Sequence, residues 1–137
     1  MRPFMSYSEG DYAAHWLKII GAAKRAPIFA HVNWFRRDAS GRYLWPGYGE
    51  NLRPLLWLLD LAAGRVRGVE TAIGILPRPE ELPLEGLTLL PADLQALLAL
   101  DPVAWQREAA ARSELLKGFP RLPAPIAAAH GRLTKGL

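Results

Sequence analysis

Only two stretches of this chain read as strands, and two strands do not make a stable sheet. Residues 28–35 (IFAHVNWF) carry β-branched and aromatic side chains with no breaker. Residues 69–76 (VETAIGIL) form the second candidate, ended by Pro77 and Pro79. The domain is therefore either mostly helical, or its strands belong to a sheet whose other strands lie elsewhere.

The helical remainder is marked by period and caps. Tyr12, His15, Trp16, Ile19 and Ile20 recur at three and four residues and predict an amphipathic helix over 10–20, closed near Gly21. His15 is expected to be packed within it. A basic linker over 22–27 ends in Pro27. Asn51 stands as the N-cap of a helix over 52–63, its side-chain oxygen placed to accept from the first free N–H groups, with Pro54 in the first turn and Gly64 as the C-terminal cap. That helix, LRPLLWLLDLAA, is apolar nearly all round and should be buried on more than one side. A loop over 80–88 leads to helices at 90–100 and 102–117, the latter capped by Asp101-Pro102, and to a last weak helix at 126–133.

At 137 residues the chain is the size of a single domain with one core. The absence of Cys excludes disulfides, thiolate metal sites and a cysteine nucleophile. No apolar run reaches the roughly 18 residues of a membrane span. The N-terminus lacks the basic region, apolar stretch and cleavage site of a secretory signal, so a cytoplasmic location is expected.

Rings and cations are concentrated over 28–51, where Phe29, Trp34, Phe35, Tyr43, Trp45 and Tyr48 share a turn-rich passage with Arg36, Arg37 and Arg42. Alternation along 28–35 would place Ile28, Ala30, Val32 and Trp34 on one face and Phe29, His31, Asn33 and Phe35 on the other. Asp38-Ala39-Ser40-Gly41 is turn material, and residues 46–49 form a tight turn with two glycines. The net charge is +4, with five cations (Lys24, Arg25, Arg36, Arg37, Arg42) over 24–42 against Asp38. Such a basic field suits an anionic partner such as a nucleotide.

Conventional catalytic patterns are missing. His15, His31 and His130 lie in separate elements without carboxylates at metal-ligand spacing, and neither G-x-x-x-x-G-K-[ST] nor G-x-G-x-x-G occurs. The spacing of Phe35, Tyr43 and Tyr48 instead lets a hairpin and a tight turn gather three rings around one flat ligand. Aromatic rings stack on any base, so discrimination would need edge hydrogen bonds from Asn51, Asn33 or the 47–50 backbone. The competing reading is that the rings are the core of a small hairpin.

The passage HVNWFRRDASGRYLWPGYGEN at 31–51 closely resembles the signature of the GTP-dependent phosphoenolpyruvate carboxykinases, HVNWFRKD-x-x-G-x-FLWPGFGEN. MRPFMSYSEGDYAAHWL resembles the family's MRPFFGYN-x-G-x-YLAHWL, and NLRPLLWLLD and TAIGILPRPEELPLEGL have counterparts as well. The likeness is specific to about Leu87, after which only the alternation of helices agrees. It implies an α/β, helix-rich fold: the C-terminal part of a mononucleotide-binding carboxykinase domain with few strands of its own. The chain would be a single partial domain over 1–137, with a guanine-pocket portion at 28–64 and a helical portion at 90–137.

By the resemblance, Phe35, Tyr43 and Tyr48 enclose guanine, and Tyr48, Gly49, Glu50 and Asn51 form the segment contacting it, with Asn51 reading its edge. Two family phenylalanines are tyrosine here, which keeps the stacking face and adds a hydroxyl needing a partner. Family members convert oxaloacetate and GTP to phosphoenolpyruvate, carbon dioxide and GDP, in gluconeogenesis. Their phosphate loop with its reactive cysteine, their Lys, His and Asp metal ligands and their oxaloacetate-binding arginines lie upstream of this segment. GTP or GDP is thus the implied ligand, and manganese or magnesium is implied only for the full-length enzyme. No catalytic or metal-binding residue is assigned to this chain. Met1 coincides with an internal family methionine, so the chain is expected to be a C-terminal piece, whether split product, truncation, subunit or excised domain. The alternative is a non-catalytic remnant or subunit that docks on a separate polypeptide carrying the missing part. Membranes are not expected partners, and nucleic acid is the weakest of the candidates.

Overall fold

The computed structural model describes residues 4–137, which divide into two compact units. One spans Ile28–Leu100; the other comprises the described residues up to Pro27 together with Asp101–Leu137.

The second unit is helical. Helix α1 (Glu9–Ala22) starts from Ser8, whose hydroxyl accepts from the Asp11 N–H at 3.2 Å. Gly21 does not end it, and the helix runs one residue further. Tyr12 packs against Tyr7 and Trp16 with ring centroids 6.3 and 6.0 Å away. His15, expected to be packed, is exposed, because the covered face of the helix runs through Gly10, Ala13, Leu17 and Ile20. Helices α4 (Pro102–Lys117) and α5 (Ala124–Gly136) complete the unit. Asp101 caps α4 as expected, accepting from Val103 and Ala104 N–H at 3.0 and 3.1 Å. The last helix is longer than its weak pattern suggested, because Pro125 sits in its first turn, where no N–H is missed. Between α4 and α5, His130 Nε2 and Ser113 Oγ lie 2.7 Å apart. Ser113 donates its single hydroxyl proton to Ala109 O at 3.0 Å, which makes His130 Nε2 the donor in that pair.

The Ile28–Leu100 unit holds the aromatic passage, helix α2 (Leu52–Ala62), an antiparallel hairpin and helix α3 (Pro91–Leu98). The strand expected over 28–35 does not form. Residues 28–33 belong to no ladder, and the chain turns at Trp34 and Phe35. A strand is a property of a pair, and among the described residues no second strand pairs with it to take its N–H and C=O groups. The period of two nevertheless survives near its end, with Val32 and Trp34 partly covered while His31, Asn33 and Phe35 face out. The second strand candidate is a hairpin, with β1 (Val69–Thr71) paired to β2 (Gly74–Leu76) in the register Val69–Leu76 and Thr71–Gly74.

Asn51 corrects another expectation. It occupies the N-cap position of α2, but its side chain makes no capping bond. The chain enters α2 straight from a 3₁₀ turn at Tyr48–Glu50, so Asn51 already has helical φ and ψ of −63° and −20°. A capping side chain needs an extended backbone to reach back to the first N–H groups. Its oxygen instead accepts from Trp45 Nε1 at 3.0 Å. The far end of α2 matches its pattern: Gly64 at φ 72° donates to Leu61 O, and Arg65 donates to Asp60 O at 2.9 Å, a Schellman termination.

Burial of α2 is one-sided. Trp57 is 4% exposed, while Leu52, Leu55, Leu56 and Leu59 face solvent. Trp57 Nε1 donates to Glu81 at 3.2 Å, and the same carboxylate accepts from the N–H groups of Gly68, Arg67 and Arg78. Burial acts to raise the Glu81 carboxyl, but these hydrogen bonds together outweigh it and hold the group below its usual range. Glu81 thus fastens α2 to the start of the hairpin. Among the described residues, no helix is long and apolar enough to cross a membrane.

Candidate base-binding site

The aromatic passage is a hairpin-like excursion held at its base. Leu44 N–H donates to Arg36 O at 2.9 Å, Asp38 N–H to Arg42 O at 3.0 Å, and Arg37 and Tyr43 form an isolated antiparallel bridge. Asp38 closes the turn through Oδ1, accepting from the N–H groups of Ser40 and Arg42 and from the Ser40 hydroxyl at 2.6 Å. Those bonds, the Ser40 hydroxyl foremost, hold its carboxyl below the usual range. Gly41, at φ 86°, completes the reversal.

Two arginines fasten this hairpin to opposite ends of α3. Arg36 Nη1 donates to the carbonyls of Leu97 and Ala99 at 3.1 and 3.0 Å, satisfying acceptors that the C-terminal end of the helix leaves free. Arg42 forks onto Asp93 in the first turn, with bonds of 3.0 and 2.7 Å. Hydrogen bonding from Arg42 keeps Asp93 ionised well below the usual carboxylate range, against the opposing effect of burial. The expectation of a free basic field over the rings is corrected accordingly. Arg36 and Arg42 are structural ties within this unit, and Lys24 and Arg25 belong to the other unit.

On this scaffold Phe35 and Tyr43 come together. Their centroids are 6.2 Å apart with planes at 67°, and the side chains are 73% and 46% exposed. A flat base held between two parallel rings would need them roughly 7–8 Å apart, twice a carbon contact distance. The pair therefore presents one wall rather than two jaws. Asn33 Oδ1 accepts from the Phe35 N–H at 2.9 Å, which sets the ring's direction and engages that oxygen. Tyr48 stands apart, 93% exposed on the 3₁₀ turn that also carries Gly49 and Glu50. Gly47, at φ 128°, precedes that turn in a conformation open to glycine alone. Glu50 pairs with Arg53, whose Nη1 also donates to Glu85 O at 2.9 Å, and Asn51 is bound to Trp45 as described.

Several residues support this loop in roles that their sequence context does not signal. Leu44 and Trp45 are buried beneath the rings' loop, and Arg36, Asp93, Arg53 and Glu81 do the fastening. The only signal available for them was charge type, which does not name a partner. A cavity of about 340 Å³ lined by Gln106, Ala109, Ser113 and Thr134 lies in the helical unit and contains none of the rings.

Residues 1–136 match the family described as phosphoenolpyruvate carboxykinase C-terminal P-loop domain. The chain belongs to that family. It is 40% identical over 129 residues to the phosphoenolpyruvate carboxykinase [GTP] of Paenarthrobacter aurescens, covering 92% of this chain and 21% of that protein. The enzyme of the same name from Anaeromyxobacter dehalogenans is 40% identical over 128 residues (93% and 22%), and that of Treponema pallidum 44% over 111 residues (79% and 18%). The chain thus spans about a fifth of the length of these carboxykinases. The helix-rich architecture with one small hairpin is that of a C-terminal carboxykinase segment, and the phosphate-loop pattern in the family's description is absent from this stretch.

Proposed function

We propose that this chain carries the guanine-binding wall of a GTP-dependent phosphoenolpyruvate carboxykinase and is incomplete for catalysis by itself. The observation that supports this reading best is the exposed Phe35–Tyr43 pair on a hairpin fastened to both ends of α3. Exposed rings on an anchored loop lose little freedom when a base stacks on them. In this reading GTP or GDP stacks on the wall, Tyr48 closes from the 3₁₀ turn, and the 49–51 backbone and Asn51 meet the base edge. Asn51 offers its amide N–H₂ for that role, since its oxygen is held by Trp45. The reaction from oxaloacetate and GTP to phosphoenolpyruvate, carbon dioxide and GDP, in a cytoplasmic gluconeogenic setting, then belongs to the complete enzyme. So does its manganese or magnesium.

Titration of the chain with a fluorescent GTP analogue tests this reading. Saturable binding is expected, displaced by GTP and GDP far better than by ATP. Phe35→Ala should weaken it about 5- to 150-fold, the range for loss of one base–ring stack. Absence of saturable binding, or equal displacement by ATP, would reject guanine recognition by this chain.

The exposed stripe on α2 supports a second, compatible reading. Leu52, Leu55, Leu56 and Leu59 follow a spacing of three and four residues and present one continuous apolar face. We assign its cover to the remaining four-fifths of a carboxykinase polypeptide, in the same chain or a separate one. The chain alone should then self-associate in sedimentation velocity, and Leu56→Asp should shift it toward monomer. A monodisperse wild-type monomer would count against this docking surface.

A further inference from the structure

We infer that Arg37 blocks part of the aromatic wall from within the chain: its guanidinium lies over Tyr43 and must swing away before a base can stack on that face. The inference rests on the reading that a base stacks on the Phe35–Tyr43 wall. The Arg37 guanidinium carbon is 4.2 Å from the Tyr43 ring centroid, and Nη2 donates to the Tyr43 hydroxyl. A stacked base would occupy a layer about 3.5 Å above a ring, so the guanidinium fills that layer on one face of Tyr43. A guanidinium is planar and delocalised, and it stacks on an aromatic face much as a base does. The two contacts act together: the ring face attracts the cation, and the hydroxyl takes one of its N–H donors and holds it in place. Phe35 stays 73% exposed beside it.

Both ends of this contact depart from the carboxykinase signature, which has lysine at the position of Arg37 and phenylalanine at that of Tyr43. A lysine over a phenylalanine has neither the planar group that stacks nor the hydroxyl that accepts, and it would hold the ring face less firmly. Arginine and tyrosine here form a matched pair, and the added hydroxyl finds its partner within the same hairpin. Arg36 and Arg42 cannot take this part, because α3 holds both. Arg37 is exposed, so leaving the ring returns its guanidinium to water with no packing lost. Base affinity is then lowered by the fraction of molecules in which the Tyr43 face is uncovered. An exposed cation–π contact and one net hydrogen bond together reduce that fraction about 5- to 50-fold.

Guanosine is the probe, because an uncharged ligand leaves out the attraction between a released guanidinium and phosphate. Its affinity is measured by competition against a fluorescent GTP analogue whose own dissociation constant is determined for wild type, Arg37→Ala, Tyr43→Phe and Phe35→Ala. Arg37→Ala uncovers the ring and should raise guanosine affinity about 5- to 50-fold. Tyr43→Phe keeps the ring, removes the hydroxyl that holds the guanidinium, and should raise affinity by a smaller factor. Circular dichroism of Arg37→Ala should match wild type, because the side chain is exposed. An unchanged or reduced guanosine affinity in Arg37→Ala overturns the inference, a reduction meaning that the guanidinium lies against the bound base instead of excluding it. If Phe35→Ala weakens guanosine in that case, base stacking on the wall stands without the blocking contact. If Phe35→Ala leaves guanosine affinity unchanged, the stacking reading fails and the inference with it.

Discussion

Trp57→Ala should remove a large part of the stability of the Ile28–Leu100 unit. The side chain is 4% exposed and joins α2 to the hairpin, so its truncation leaves a cavity worth about 3–5 kcal/mol. The whole domain is expected to have only about 5–15 kcal/mol in hand. Glu81 also loses the indole donor, and its carboxylate then rests on the N–H groups of Gly68, Arg67 and Arg78. Trp57→Phe separates the two contributions. It retains much of the buried area and loses the hydrogen bond, at a cost of about 1 kcal/mol. Urea denaturation followed by circular dichroism measures both. A Trp57→Ala midpoint indistinguishable from wild type would mean that Trp57 is not the core of this unit.

Gly10→Ala makes the second large prediction, and its sign opposes simple propensity. Gly10 lies inside α1, where replacement by alanine ordinarily stabilises by up to about 1 kcal/mol. Here an added Cβ would sit 2.0 Å from the carbonyl oxygen of Pro120 and 2.6 Å from that of Arg121. Both are backbone atoms, and Arg121 is itself held at φ 53°, so the segment has little room to yield. Its guanidinium is also tied to Asp11, with one bond of 2.9 Å, and the carboxyl of Asp11 is lowered by that contact. Steric cost outweighs the propensity gain, and a net loss of about 1–3 kcal/mol is expected. Thermal unfolding of Gly10→Ala and Gly21→Ala gives the comparison, since nothing lies within 4 Å of a Cβ at Gly21. Gly21→Ala should hold or raise the midpoint while Gly10→Ala lowers it. A midpoint raised by both would refute the close approach of residues 120 and 121.

What could be read in advance follows the range of the interaction concerned. Asp101-Pro102 before α4, Gly64 after α2 and Asp38 at the hairpin turn act within a few residues, and each appears where its chemistry places it. Residues 28–35 have the composition of a strand, but pairing depends on a neighbour that local composition does not reveal. Asn51 failed as a cap for a similar reason: the preceding 3₁₀ turn set its backbone, and Trp45 took its oxygen. Arg36 and Arg42 were the hardest to foresee. Their partners lie 61 and 51 residues away, and an arginine in a sequence looks alike whether it meets a ligand or a helix end. Phe35, Tyr43 and Tyr48 are proposed as stacking residues on their type and on the resemblance. That Phe35 and Tyr43 touch edge to face while Tyr48 stands apart is a matter of angles, which no residue pattern encodes.

The division of labour within the hairpin bears on how such a site can change over time. Arg36, Arg42 and Asp93 anchor its base and Leu44 and Trp45 fill beneath it, while Phe35 and Tyr48 project into solvent and contribute little to packing. Substitutions at Phe35 and Tyr48 therefore leave what holds the loop untouched. Tyrosine in place of phenylalanine at two of these positions is the kind of change such a layout permits. If the loop holds a base as proposed, its preference can be changed on a background of constant foldedness.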